Sequence, residues 1–146
     1  MPIQEGASAP DFTLKAGDGS TIQLSQFKGQ KNVVLYFYPK DDTPGCTKEA
    51  CAFRDDISQL TAKDAVVLGV SIDDAASHQA FASKFNLNFP LLCDADGAVS
   101  KAYDAFNAEK GYSRRVTAVI GKDGLVKKFF PQVNVEGHSQ EVLAAL

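Results

Sequence analysis

The sequence predicts an α/β fold: a mixed central sheet flanked by helices, with a β-hairpin extension at the N-terminus. Three observations predict it. The runs Asn32 to Tyr38 and Ala65 to Ile72 are rich in β-branched and aromatic residues and apolar at consecutive positions, as strands buried on both faces require. Each is followed by a stretch with helical spacing of apolar residues, and parallel strands need such crossovers. A hairpin and a last helix then close the chain.

In order, Phe12-Thr13-Leu14 and Thr21-Ile22-Gln23 flank the turn-forming Gly17-Asp18-Gly19-Ser20, which predicts the N-terminal hairpin. The strand Asn32 to Tyr38 stops at Pro39. After the polar loop Lys40 to Gly45, residues Cys46, Ala50, Phe53, Ile57 and Leu60 recur at steps of four, three, four and three, the apolar stripe of one amphipathic helix. Ala65 to Ile72 is the second buried strand. Asp74 to Phe85 is a helix with acidic residues at its start and Phe81 and Phe85 on one face. Pro90 to Cys93 reads as a short strand and Val99 to Tyr103 as a short helix. Val116 to Ile120 and Leu125 to Phe130 form a hairpin across Lys122-Asp123-Gly124, and His138 to Leu146 is the last helix. This order is that of a thioredoxin-like fold with an N-terminal extension and an inserted strand and helix.

A length of 146 residues is expected to make a single domain, 1–146. Hydrophobic residues at 45% and charged residues at 23% are too apolar for disorder. Fifteen basic and 18 acidic side chains leave a net charge of -3, which excludes the electrostatic footprint of a nucleic-acid or anionic-membrane partner. The apolar runs Val33 to Tyr38 and Ala65 to Val70 fall far short of the roughly 18 residues of a membrane span. Met1 to Gly6 has neither a basic start nor an apolar stretch, so no secretory signal and a cytoplasmic location are expected. Cys46, Cys51 and Cys93 are too few and too odd for a disulfide scaffold.

The loop from Tyr38 to Cys51 joins the C-terminal end of a buried strand to a helix N-terminus, the edge at which ligands bind open α/β sheets. Thr43 suits the N-cap and Pro44 the first helical position, which places Cys46 in the first turn. There the positive end of the helix dipole and unpaired backbone N–H groups favour thiolate over thiol. Position alone leaves a second reading open, a small buried hydrophobe continuing the Ala50–Phe53 stripe.

The full string favours the first. Pro39, Thr43 and Cys46 make the pattern Pro-x-x-x-Thr-x-x-Cys, and Cys51 follows at Cys-x4-Cys, so the chain resembles the peroxiredoxins, in particular the bacterioferritin comigratory protein or peroxiredoxin Q subfamily. The likeness runs through Gly6, Ala9, Pro10, Phe12 and Leu14, Val33 to Pro39, Leu68 to Ser71, Phe89 to Asp94, and the late Arg-x-Ser/Thr-x-Val/Leu-Ile strand. It implies a thiol-dependent peroxidase acting on hydrogen peroxide and organic hydroperoxides at Cys46, in antioxidant defence, without metal or other cofactor. Cys51 is implied as the resolving thiol of an intramolecular disulfide, recycled by thioredoxin or a similar dithiol, in a monomer.

Cleaving an O–O bond needs stabilised charge on the departing oxygen, which calls for a cation and hydrogen-bond donors near the sulfur. Counting back from the turn glycine Gly124, as in the family, selects Arg115; Arg114 would face the other side of the strand. Thr43 Oγ1 can bond both sulfur and peroxide, the N–H groups around Gly45 and Cys46 can hold peroxide oxygens, and Pro39 would shield the sulfur from water. Glu49 is the candidate to orient Arg115, with an exposed first-turn glutamate as its alternative. Departures from the family pattern are Ala118, Gly121 and a short stretch from Asp104 to Arg114.

Cys93 reads as a packed strand-end residue. His78 and His138 belong to different helices, and no compact ligand spacing predicts a metal site. Asp41-Asp42 is expected to be a solvated loop pair. Two other function classes remain to be weighed: a binding module without turnover, in which Cys46 is inert, and a disulfide reductase, whose usual Cys-x-x-Cys the chain lacks.

Overall fold

A strand that is apolar on both faces must be covered on both, and the arrangement follows from that demand. In the computed structural model, which describes residues 3–146, the chain runs β1 (Thr13–Ala16), β2 (Thr21–Gln23), a 3-10 turn (Leu24–Phe27), β3 (Asn32–Phe37), α1 (Pro44–Asp55), α2 (Ile57–Ala62) and β4 (Ala65–Ser71). It continues through α3 (Ala75–Phe85), β5 (Leu91–Cys93), α4 (Ala98–Ala102), β6 (Phe106–Asn107), β7 (Tyr112–Ser113), β8 (Val116–Ile120), β9 (Val126–Phe130) and α5 (His138–Ala145). Met1 and Pro2, the start of the segment read for a signal, lie outside the described residues.

Seven strands form one mixed sheet in the order β2-β1-β5-β4-β3-β8-β9. β3 pairs parallel with β4 and β4 with β5, while β8, β9 and the N-terminal hairpin are antiparallel additions at the two edges. Strand alternation divides the core. Val34, Tyr36 and Tyr38 face Cys46, Ala50 and Phe53 of α1, Phe81 of α3 and Val142 of α5. Val33, Leu35 and Phe37 face Phe12, Leu24 and Tyr103. The predicted mixed sheet, both hairpins and the strand–helix order are all present.

Two local features differ from expectation. The stripe Cys46 to Leu60 is carried by two helices rather than one, because Asp56 has left the helical conformation (φ -96°, ψ 7°). Its carboxylate is held from α5 by Ser139 Oγ at 2.6 Å and Gln140 Nε2 at 3.0 Å, tertiary bonds that spacing along one segment does not reveal. The small β6–β7 hairpin was also not anticipated, being too short to carry a period.

Leu35 is fully buried in the central strand. Leu35→Ala is expected to lower unfolding free energy by about 2–5 kcal/mol, through lost transfer energy and the cavity left behind. Urea denaturation of the reduced protein measures it; a loss under about 1 kcal/mol contradicts the packing described.

Candidate active site

The end of β3 and the start of α1 are joined by residues 38–43, and local chemistry fixes where the helix begins. Thr43 has extended backbone angles (φ -102°, ψ 156°) and Pro44 occupies the first helical position, as predicted. The Thr43 hydroxyl does not cap the helix; it donates to Lys40 O at 2.8 Å. With its hydrogen placed there, its lone pairs are left to accept. The first i→i-4 bond is Thr47 N–H to Thr43 O, 2.8 Å. Ahead of it, the amides of Gly45 and Cys46 have no carbonyl one turn back to bond to. Cys46 therefore sits in the first turn with two donors and the positive helix end beside it.

Cys46 is buried, 1% exposed, and its side chain closes the apolar face of α1, as the stripe reading expects. A cation nevertheless reaches the buried sulfur. Arg115, immediately before β8, directs Nη2 to Cys46 Sγ at 3.3 Å and Nη1 to Glu49 Oε1 at 2.8 Å. Arg114 goes elsewhere, to the carbonyl of Asp104 at 3.2 Å. A Cβ at Gly45 would stand 3.1 Å from Arg115 Nη2, so the absence of a side chain there clears the path of the guanidinium. Burial works against the charge on Arg115, but Glu49 and Cys46 outweigh it and hold its pKa above the ordinary value.

Glu49 is buried rather than the exposed first-turn alternative, and its Oε2 has no hydrogen-bond partner among the described residues. One guanidinium thus serves two acidic groups. Pro39 is half-buried directly after Tyr38. Cys51 lies one and a half turns along α1, half-buried, and all three thiols are free. On a regular helix five residues separate Cα atoms by about 8–9 Å, beyond disulfide reach. Cys93 ends β5; burial, then Asp41, Asp74 and Asp73, push its thiol pKa up, against thiolate formation.

The AhpC/TSA family matches residues 6–129. The chain belongs to that family. A putative peroxiredoxin bcp of Coxiella burnetii is 45% identical, covering 100% of both chains, and peroxiredoxin Bcp of Bacillus subtilis is 43% identical over 100% of this chain and 96% of its own. Among solved structures, peroxidoxin BcpB of Mycobacterium tuberculosis superposes with a TM-score of 0.90 at 32% identity, covering 98% of this chain and 96% of that one. A PrxQ variant of Xylella fastidiosa gives 0.90 at 33% identity, covering 97% and 94%. The fold is thus thioredoxin-like and the chain a peroxiredoxin of the Bcp/peroxiredoxin Q type, a thiol-dependent peroxidase.

In this peroxiredoxin one expectation is overturned. Asp41 is not a solvated loop residue: it is 7% exposed and bonded to Tyr38, Ser77 and His78. Only Asp42 is exposed, paired with Lys84 Nζ at 2.9 Å. The partners of Asp41 lie up to 37 residues away, so no local pattern marks it. His138 is also buried, between Thr117 Oγ1 at 2.8 Å and Glu141 Oε1 at 3.2 Å.

Burial raises the Glu49 pKa from 4.5 to about 7, against the opposing pull of Arg115. Between those values the folded peroxiredoxin holds a proton that the unfolded chain has released. This contribution is therefore fully present below 4.5 and is lost as pH rises through about 7. Urea melts at a series of pH values should show that decline and its loss in Glu49→Gln; parallel profiles for the two proteins would contradict it.

Proposed function

We propose that Cys46 is the thiolate that attacks peroxide and Cys51 the thiol that resolves the product. The observation that carries this reading is the contact of Arg115 with Cys46 Sγ at 3.3 Å, at a helix start with open amides. The Cys46 thiolate attacks the hydroxyl oxygen of a hydroperoxide. An S–O bond forms, the O–O bond breaks, and the departing alkoxide or hydroxide takes a proton to leave as alcohol or water. Charge on the O–O unit is met by Arg115 and by the Gly45 and Cys46 amides. Thr43 Oγ1 accepts the peroxide hydrogen, Pro39 excludes water, and Glu49 orients Arg115.

Cys46 is left as sulfenic acid. The Cys51 thiolate attacks its sulfur, an S–S bond forms, and hydroxide leaves to be protonated to water. Because α1 holds the two thiols beyond reach, it unwinds locally in each cycle. A dithiol protein of the thioredoxin type then reduces the exposed disulfide by exchange. Hydrogen peroxide and organic hydroperoxides are the proposed substrates; the solved Xanthomonas campestris bacterioferritin comigratory protein is described for alkyl peroxide reduction. One domain, acting as a monomer in the cytoplasm, carries nucleophile and resolver together.

The test is thiol counting after one equivalent of hydrogen peroxide. Wild type should lose two thiols rapidly, whereas Cys51→Ser should lose one and accumulate a sulfenic acid trapped by dimedone. Rapid loss of two thiols in Cys51→Ser would assign resolution to Cys93 instead.

A further inference from the structure

Apart from Arg115, every group assigned to peroxide belongs to the loop between β3 and α1 or to the start of α1, and loops of this kind are mobile unless tied down. This one is tied at its middle residue. Asp41 Oδ1 accepts the Tyr38 hydroxyl at 2.6 Å, and Oδ2 accepts the Ser77 hydroxyl at 2.8 Å and lies 2.7 Å from His78 Nδ1. His78 Nε2 is 2.9 Å from Leu92 O, and a carbonyl only accepts, so that nitrogen carries a hydrogen. The 2.7 Å separation of Nδ1 and Oδ2 is a hydrogen bond, which leaves both His78 nitrogens and both Asp41 oxygens partnered. The Asp41 amide donates to Asp73 Oδ2 at 2.9 Å, which also accepts the Ser71 hydroxyl at 2.6 Å. Ligand atoms of Asp41, Asp73 and His78 lie within 4.8 Å of one another, but both His78 nitrogens are engaged, so hydrogen bonds rather than a cation account for the cluster.

The partners of Asp41 and His78 come from just past β3 and β4, from β5 and from α3. None comes from α1. Asp42, next in the chain, turns the backbone at φ +56°, the left-handed region that Asp and Asn tolerate. A fully hydrogen-bonded network in a low-dielectric interior is rigid, and it stands just ahead of the helix proposed to unwind.

We propose that Asp41 and His78 are positioning residues for peroxide reduction: they hold the Pro39–Thr43 loop in its reactive shape and stay fixed while α1 unwinds, confining the rearrangement to residues after Asp42. The proposal rests on Cys46 being the peroxidatic thiol. It predicts that the two chemical steps respond differently. Loss of the network misplaces Thr43 and the helix start, slowing sulfenic acid formation, while disulfide formation depends on α1 and not on the network.

The experiment is rapid mixing of the full chain with hydrogen peroxide, following both phases in Asp41→Ala, Asp41→Asn and His78→Gln. Asp41→Ala should slow the first phase roughly 10- to 100-fold, the cost of ångström-scale misplacement, and leave the second within about two-fold. Asp41→Asn should recover most of the first phase, because its amide oxygen can accept from Tyr38 and its NH2 can donate to His78 Nδ1. A folded Asp41→Ala with the wild-type first phase overturns the proposal, as does equal slowing of both phases in Asp41→Ala and Asp41→Asn. Should Asp41→Ala not fold, His78→Gln decides by the same split. Cys46→Ser is run alongside: persistence of the first phase there overturns the peroxidatic assignment itself, whereas its loss confines any failure to the positioning role.

Discussion

Cys46→Ser is expected to abolish peroxide reduction, a fall on the order of 10^4-fold or more, the scale seen when a covalent nucleophile is removed. A hydroxyl in the same first turn is not ionised by a helix dipole and one guanidinium, and serine cannot form the S–O bond on which the cycle depends. The fold should tolerate the change: Cys46 packs against α1's own stripe and β3, and one small buried group replaces another. Consumption of hydrogen peroxide by the reduced protein, with far-ultraviolet circular dichroism as control, measures this. A folded Cys46→Ser that consumes peroxide at the wild-type rate contradicts the account.

Arg115→Ala comes next in size, with an expected loss of about 10^2- to 10^3-fold in the first step, the range for removing a preorganised charge-stabilising donor. The guanidinium bridges Cys46 Sγ and Glu49 Oε1, so its loss acts twice. It removes the positive charge facing the reacting sulfur and leaves Glu49 buried without an ion-pair partner. With that opposing pull gone, burial should hold the Glu49 pKa still higher than about 7. Arg115→Lys should fall between wild type and alanine, keeping a charge without the two-pronged geometry. Stopped-flow sulfenic acid formation resolves the three, and near-normal rates in Arg115→Ala would remove the residue from the mechanism.

Much of this arrangement was legible in the chain because it is local. Apolar runs marked β3 and β4, the Thr43-Pro44 pair marked the start of α1, and a four-three stripe put Cys46 on the helix's buried face. Arg115 needed the family's spacing to Gly124, since nothing local distinguishes it from Arg114. What stayed hidden depends on side chains meeting across the fold. Asp41 looks like a loop aspartate until β4, β5 and α3 deliver Ser71, Leu92, Ser77 and His78 around it. Asp56 likewise breaks the helix through bonds from α5, over 80 residues away. Thr43 shows the same limit in miniature: its place as the N-cap follows from the neighbouring proline, but the direction of its hydroxyl follows from the fold of the loop.

Cys46 and Cys51 of one chain are proposed to form the catalytic disulfide although α1 separates them in the reduced protein. Peptide mapping of protein oxidised with one equivalent of hydrogen peroxide, without prior reduction, tests it most directly. The predicted result is a Cys46–Cys51 disulfide in a monomeric species, with Cys93 fully alkylated. A disulfide joining Cys46 to Cys93, or to a second chain, would contradict it.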